Sequence, residues 1–252
     1  MPILANLYYT QYQGSSSSRP PVILIHGAGS SHLCWPAEIR RLRDANVYAI
    51  DLPGHGKSPG TAQHFVAGYQ ESLIDFIKEI KQNRAFLVGH SLGAAIALRF
   101  ALDHPQHVAG LVCISSAASF NIDPTFINLF RSPITQKTTL ELLQAYFAPQ
   151  YGNKQWYSNL LKSLPTVRNS LWYADFRASE HFDLRNKLHQ IQTPTLVLSG
   201  LEDPLVSVFD AAYLARQLPE GKFIPYQHHG HMLMLEDPIR VANQIHRFFM
   251  NL

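Results

Sequence analysis

Six short apolar runs alternate with amphipathic segments along most of the chain, and this alternation constrains the fold more than any other feature. The runs are Val22–Ile25, Val47–Ile50, residues 86–88, Val108–Ile114, and residues 195–198 and 223–226. Unbroken apolar runs suit strands buried on both faces, as in a parallel sheet. Between them, residues 65–80 place Leu73, Phe76, Ile77 and Ile80 at helical spacing, and residues 92–104 are rich in Ala and Leu until Pro105 ends them. Residues 239–249 set Val241, Ile245, Phe248 and Phe249 on one side of a closing helix. A β-α alternation of this kind predicts an α/β fold: a mostly parallel, doubly wound sheet with helices on both faces. A further strand is expected over Leu7–Tyr12, joined to the sheet by the Gly-, Ser- and Pro-rich stretch 14–21.

The alternation fails between residues 118 and 188. Leu140, Leu143 and Phe147 share one helical face, and Trp156, Leu160 and Leu164 share another. These faces are too apolar for a solvated linker. The region is therefore expected to be a helical cap inserted after the Val108–Ile114 strand and resting on the upper edge of the sheet. Residues 1–117 and 189–252 would form the core. A length of 252 residues suits one such domain with an insertion.

Charge excludes some functions. The chain has 21 basic and 18 acidic residues, and its densest basic group, Arg40, Arg41 and Arg43, sits beside Glu38 and Asp44. A nucleic-acid surface would want an unbalanced basic stripe, so no nucleic-acid partner is expected. Cys34 and Cys113 do not make a disulfide framework and read as free thiols. No run approaches the length of a spanning helix, and the first ten residues lack the basic start of a signal peptide. The expectation is a soluble, cytoplasmic monomer or homodimer.

The strongest local signal is Gly89-His-Ser-Leu-Gly93, which fits G-x-S-x-G between a strand-like run and a helix. Such a tight turn holds the serine in a strained conformation with its hydroxyl exposed, and the flanking glycines let neighbouring backbone approach. A serine hydroxyl is a poor nucleophile without a base. The base should be a histidine oriented by a carboxylate, and in sheets of this class the chain order is Ser, acid, His. Asp203, in Ser199-Gly-Leu-Glu-Asp-Pro204, follows a strand; its neighbour Glu202 is a second candidate. His231, in His228-His-Gly-His231, follows the last strand, with His228 and His229 read as loop histidines. Ser91 would attack, His231 would carry the proton, and Asp203 would orient and stabilise the imidazolium. Two backbone amides should meet the charge on the substrate oxygen. Leu92 N–H follows the nucleophile, and Ala28 N–H sits in His26-Gly-Ala-Gly29, a loop that could also be a plain glycine turn.

HGAGSS at 26–31, DLPGHGKS at 51–58, GHSLG at 89–93, SGLEDP at 199–204 and HHGHM at 228–232 together resemble the α/β-hydrolase superfamily, and within it the capped esterase, lipase and C–C hydrolase branch. The resemblance covers nearly the whole chain outside the cap. It implies that His55 is structural, that His26 orders its loop and that His90 supports the nucleophile. Dehalogenases and epoxide hydrolases of this fold carry aspartate where this chain has Ser91. The C–C hydrolases usually follow the catalytic histidine with tryptophan; here it is Met232. The short N-terminal region leaves room for the family's first antiparallel strand to be truncated or missing.

An apolar pocket is expected from His32, Trp35, Phe120, Phe126, Phe130, Phe147, Trp156 and Trp172. Individually, each aromatic is a better candidate for packing than for substrate contact; as a group they favour a pocket. No metal-ligand spacing, Walker A pattern or dinucleotide fingerprint occurs, so no metal or cofactor is expected. The leading reading is a hydrolase of small to medium apolar carboxylic esters acting through an acyl-enzyme. Lactone, thioester, C–C hydrolysis and perhydrolysis would use the same triad, and a ligand-sensing module on a hydrolase fold is an alternative of another class.

Overall fold

The computed structural model describes residues 2–14, 19–131, 155–163 and 167–252. Every run expected to be a strand forms one. In chain order these are β1 (Ile3–Leu4), β2 (Leu7–Tyr12), β3 (Val22–Ile25), β4 (Val47–Ile50), β5 (Ala85–His90), β6 (Val108–Ile114), β7 (Thr195–Gly200) and β8 (Gly221–Tyr226). They form one sheet in the order β1-β2-β4-β3-β5-β6-β7-β8. The β1–β2 and β2–β4 pairings are antiparallel and the rest are parallel. The doubt about the N-terminal edge is resolved: β1 is cut to a two-residue stub, but β2 is full length and pairs with β4 from Tyr9–Ile50 to Tyr12–Val47.

The order reverses between β3 and β5, which pair in register from Val22–Phe86 to Ile25–Gly89. From β3 the chain moves out to β4 on one side and then returns to β5 on the other. A crevice therefore opens above the carboxyl ends of β3 and β5, where sheets of this kind bind ligands. The loop after β3 begins at His26 and the turn after β5 contains Ser91.

Strand side chains alternate between two apolar layers. Ile23, Ile25, Leu87, Leu111 and Cys113 join the layer that holds Leu73, Phe76 and Ile77 of α2 (Gln70–Glu79) and most of α3 (Leu92–Asp103). Val22, Leu24, Phe86, Val88, Val112 and Ile114 face the opposite layer, with Ile39 of α1 (Ala37–Arg40) and Val241, Ile245, Phe248 and Phe249 of the C-terminal helix Pro238–Met250. Each fully buried Val, Leu or Ile contributes about 1.5–3 kcal/mol against exposure, so these two layers anchor everything above the sheet. The C-terminal helix begins where the sequence provides for it: Pro238 occupies its first turn and the Asp237 side chain accepts from Arg240 N–H at 3.2 Å.

Between β6 and β7 the described residues are helical, with α4 (Pro124–Asn128), α5 (Gln155–Ser163) and α6 (Asn169–Glu180). A single bridge pairs Ser119 with Asp183 where the segment leaves and rejoins the core. The face expected from Leu140, Leu143 and Phe147 lies outside the described residues, as does Leu164. Helix α6 buries Leu171, Trp172, Ala174, Asp175, Ala178 and Ser179, an apolar stripe with one carboxylate in it.

Candidate active site

Ser91 sits between β5 and α3 with φ of 51° and ψ of −116°. A non-glycine residue held there costs on the order of 1–3 kcal/mol and needs its surroundings to enforce it. Several contacts do so. Ser91 N–H donates to Ile114 O at 2.9 Å, and Ser116 Oγ donates to Ser91 O at 3.2 Å. The glycines on either side permit the close approach. A Cβ on Gly93 would lie 2.2 Å from Ile25 O, and one on Gly89 would lie 2.4 Å from Ala94 Cα. The turn and the β3 loop are thereby pressed together, with Ser91 itself only partly buried.

The structure brings Asp203 and His231 together. His231 Nδ1 lies 2.9 Å from Asp203 Oδ2 and 3.1 Å from Oδ1, with the Asp203 side chain fully buried. Asp203 Oδ1 also accepts Leu205 N–H at 2.8 Å and Val206 N–H at 3.0 Å. Burial alone would raise the Asp203 pKa, but the His231 charge and these hydrogen bonds outweigh it and hold it below the ordinary carboxylate value. The second candidate, Glu202, is half exposed and pairs instead with His228 at 3.2 Å. Of the two candidates, Asp203 and not Glu202 has its carboxylate on the buried side, against His231.

His231 is held through its backbone as well. Its carbonyl accepts from His90 Nε2–H at 2.9 Å, and the two rings lie 4.9 Å apart. The Glu236 carboxylate straddles it, accepting Gly230 N–H at 2.6 Å and Met232 N–H at 3.0 Å. Burial, followed by the His231 charge, lowers the His90 pKa to about 3, so this supporting imidazole is neutral.

The β3 loop carries Ala28. His26 Nε2 accepts Leu52 N–H at 3.1 Å, which leaves Nδ1–H to donate to Gly27 O at 2.8 Å and fixes the tautomer. Burial and the neighbouring His55 charge lower its pKa to about 4. Gly29 N–H donates to Asp175 Oδ2 at 2.7 Å. The same carboxylate oxygen accepts His55 Nε2–H at 2.8 Å, and Oδ1 accepts Tyr69 O–H at 3.1 Å. His55 Nδ1 faces Pro53 O at 3.0 Å. Both partners of this ring are acceptors, so both nitrogens donate and His55 is an imidazolium. Burial would depress its pKa, but the Asp175 charge and hydrogen bond reverse the direction and raise it.

The aromatic residues expected around a pocket divide. His32 is corrected: its ring is committed to Asp51, with Nδ1 2.8 Å from Oδ1, and its side chain is buried against Tyr8. Trp35 is buried at 1% exposure with Ile39 and Leu42, in the apolar layer that also holds Phe130 and Trp172. Phe130 and Trp172 are buried, and with the partly buried Phe126 they form one cluster around Phe176. Trp172 presses on the β3 loop: a Cβ on Gly29 would lie 2.2 Å from its ring. Phe120 packs on Phe182 and Trp156 beside Tyr157, while Phe147 is outside the described residues. Sequence reasoning missed Asp175, Tyr69, Ser116 and Glu236. Asp175 had a signal, a carboxylate on the apolar stripe of Leu171, Trp172 and Ala178. Among the described residues no group of three or more His, Cys, Asp or Glu is placed to hold a metal ion, and no helix is long and apolar enough to cross a membrane.

Comparison with known proteins agrees with this architecture. The family model described as the alpha/beta hydrolase fold matches residues 20–238. A pimeloyl-[acyl-carrier protein] methyl ester esterase of Vibrio vulnificus is 28% identical over 257 residues, covering 96% of both chains. A putative carbamate hydrolase, RutD, of Yersinia enterocolitica is 29% identical over 254 residues, covering 90% of this chain and 86% of its own. Among solved structures, a hydrolase from Pseudomonas aeruginosa superposes with a TM-score of 0.87 at 21% identity, covering 96% of this chain and 93% of that one.

Proposed function

From the premise that the chain belongs to the alpha/beta hydrolase fold family, we propose that it is a serine hydrolase of carboxylic esters with small to medium apolar acyl groups. One observation carries the reading: His231 Nδ1 is clamped by the buried Asp203 carboxylate while its backbone is tied to His90, the residue before Ser91. In this reading Ser91 Oγ attacks the ester carbonyl as His231 Nε2 takes its proton. Asp203 stabilises the imidazolium, and the proton passes to the departing alcohol. Water, activated by the same imidazole, then releases the acid from the acyl-enzyme. Leu92 N–H opens α3 without an intrahelical partner, as first-turn amides do. Together with Ala28 N–H it would receive the oxyanion, a contribution of about 10²–10³ in rate per donor.

Residues 118–188 serve as the cap in this reading, and the acyl group lies against the Phe126, Phe130, Trp172 and Phe176 cluster. The apolar character of that cluster, and its contact with Gly29 beside Ala28, support an apolar acyl group over a charged one. The presence of a methyl ester esterase and a putative carbamate hydrolase among the relatives supports ester-type chemistry. Hydrolysis of p-nitrophenyl esters from acetate to laurate tests it. Multiple turnovers that disappear in Ser91→Ala are expected; a folded wild type inactive on every chain length would refute the assignment.

A further inference from the structure

Helix α6 belongs to the segment between β6 and β7, yet two of its residues reach the loop after β3. Trp172 lies against Gly29, which has φ of 60° and no room for a Cβ. One turn later, the fully buried Asp175 accepts Gly29 N–H at 2.7 Å. That N–H belongs to the peptide unit that leaves Ala28. A peptide unit is planar, so anchoring its hydrogen fixes one side of Ala28 and, through the single residue between, the direction of Ala28 N–H.

The charge arrangement fits such a role. A lone carboxylate one residue from an oxyanion donor would oppose the negative charge that develops there. Here the carboxylate is paired with the His55 imidazolium at 2.8 Å, both side chains being fully buried. The pair presents little net charge to the crevice, and Tyr69 O–H occupies the other carboxylate oxygen at 3.1 Å. Asp175 therefore holds the loop by geometry without imposing an adverse field.

We propose that Asp175 is a positioning residue for Ala28 N–H, so that the seating of α6 on the β3 loop determines whether the oxyanion hole is formed. The inference rests on the assignment of Ala28 to that hole. An α6 displaced from the loop leaves the triad intact and the second donor misdirected.

Steady-state kinetics on p-nitrophenyl butyrate, with the inhibition constant of an aryl trifluoromethyl ketone, tests this on wild type, Asp175→Ala and Asp175→Asn. The ketone forms a hemiketal oxyanion with the serine; its methyl ketone counterpart reports ground-state binding. Asp175→Ala is expected to lower kcat by roughly 10- to 100-fold with KM within about threefold, and to weaken the trifluoromethyl ketone by the same factor while sparing the methyl ketone. Asparagine can keep an oxygen on Gly29 N–H, so Asp175→Asn should recover most of the loss. It also serves as the readable variant if the alanine chain does not fold: a drop in kcat of about threefold to tenfold, matched by the trifluoromethyl ketone, is expected. A lower melting temperature with kcat and the trifluoromethyl ketone unchanged in Asp175→Asn would make the residue structural only and overturn the proposal. Equal weakening of both ketones would overturn it too. A wild type without serine-dependent turnover would instead refute the ester hydrolase reading.

Discussion

His26 and His55 are buried with their rings 4.9 Å apart and are held in opposite protonation states. Their partners decide this. His26 must accept one hydrogen bond, from Leu52 N–H, so it stays neutral; His55 faces two acceptors and keeps its proton. Because the folded pKa of His55 is raised above the ordinary histidine value of 6.5, its contribution to stability is fully present below that value. It is lost as pH rises through the raised folded value. The melting-temperature gap between wild type and His55→Gln should therefore be widest below pH 6.5 and narrow at alkaline pH. A gap that stayed constant to high pH would mean a neutral His55. At the same scale, His231→Ala should remove ester turnover by about 10³-fold or more, and Asp203→Asn somewhat less. Glu202→Gln should leave kcat unchanged, since Glu202 pairs with the exposed His228; loss of activity there would reverse the acid assignment.

Elements deliver these residues with differing legibility. The strands could be read from the sequence because each is a short β-branched or apolar run bounded by a turn residue, and β3, β4 and β6 start and stop where the apolar runs do. Ser91, Asp203 and His231 could be proposed for the same reason: each follows a strand whose end is marked by glycine or histidine. The second tier was not legible. Asp175 and Glu236 act across loops, joining α6 to the β3 loop and the short helix Leu233–Glu236 to the amides around His231. Such pairings depend on tertiary distance, which periodicity does not encode. His32 was misplaced because a ring after the β3 loop has the same local pattern whether it faces a pocket or a buried carboxylate. Glu236→Ala should free both amides and let the His231 loop shift. A loss in kcat of roughly tenfold with KM little changed is expected, and rates equal to wild type would assign Glu236 to stability alone.

Over the whole molecule, the reversal of strand order at β3 and β5 explains why the Ser91 turn and the loop carrying Ala28 share one crevice. The segment between β6 and β7 adds what the sheet lacks, an aromatic wall and a carboxylate anchored to that crevice. If the wall lines the acyl site, Phe130→Ala should shift the preferred p-nitrophenyl ester toward longer or bulkier acyl chains without abolishing turnover, because it adds space in the pocket. An unchanged chain-length profile would place the wall outside it.

The most direct test of the central claim is covalent labelling by a fluorophosphonate, followed by intact-mass measurement and peptide mapping. One adduct per chain is expected, on the peptide containing Ser91. Labelling should be absent in Ser91→Ala and slowed by orders of magnitude in His231→Ala. A folded wild type that took no label, or that carried it on another serine, would contradict the assignment of Ser91 as the activated nucleophile.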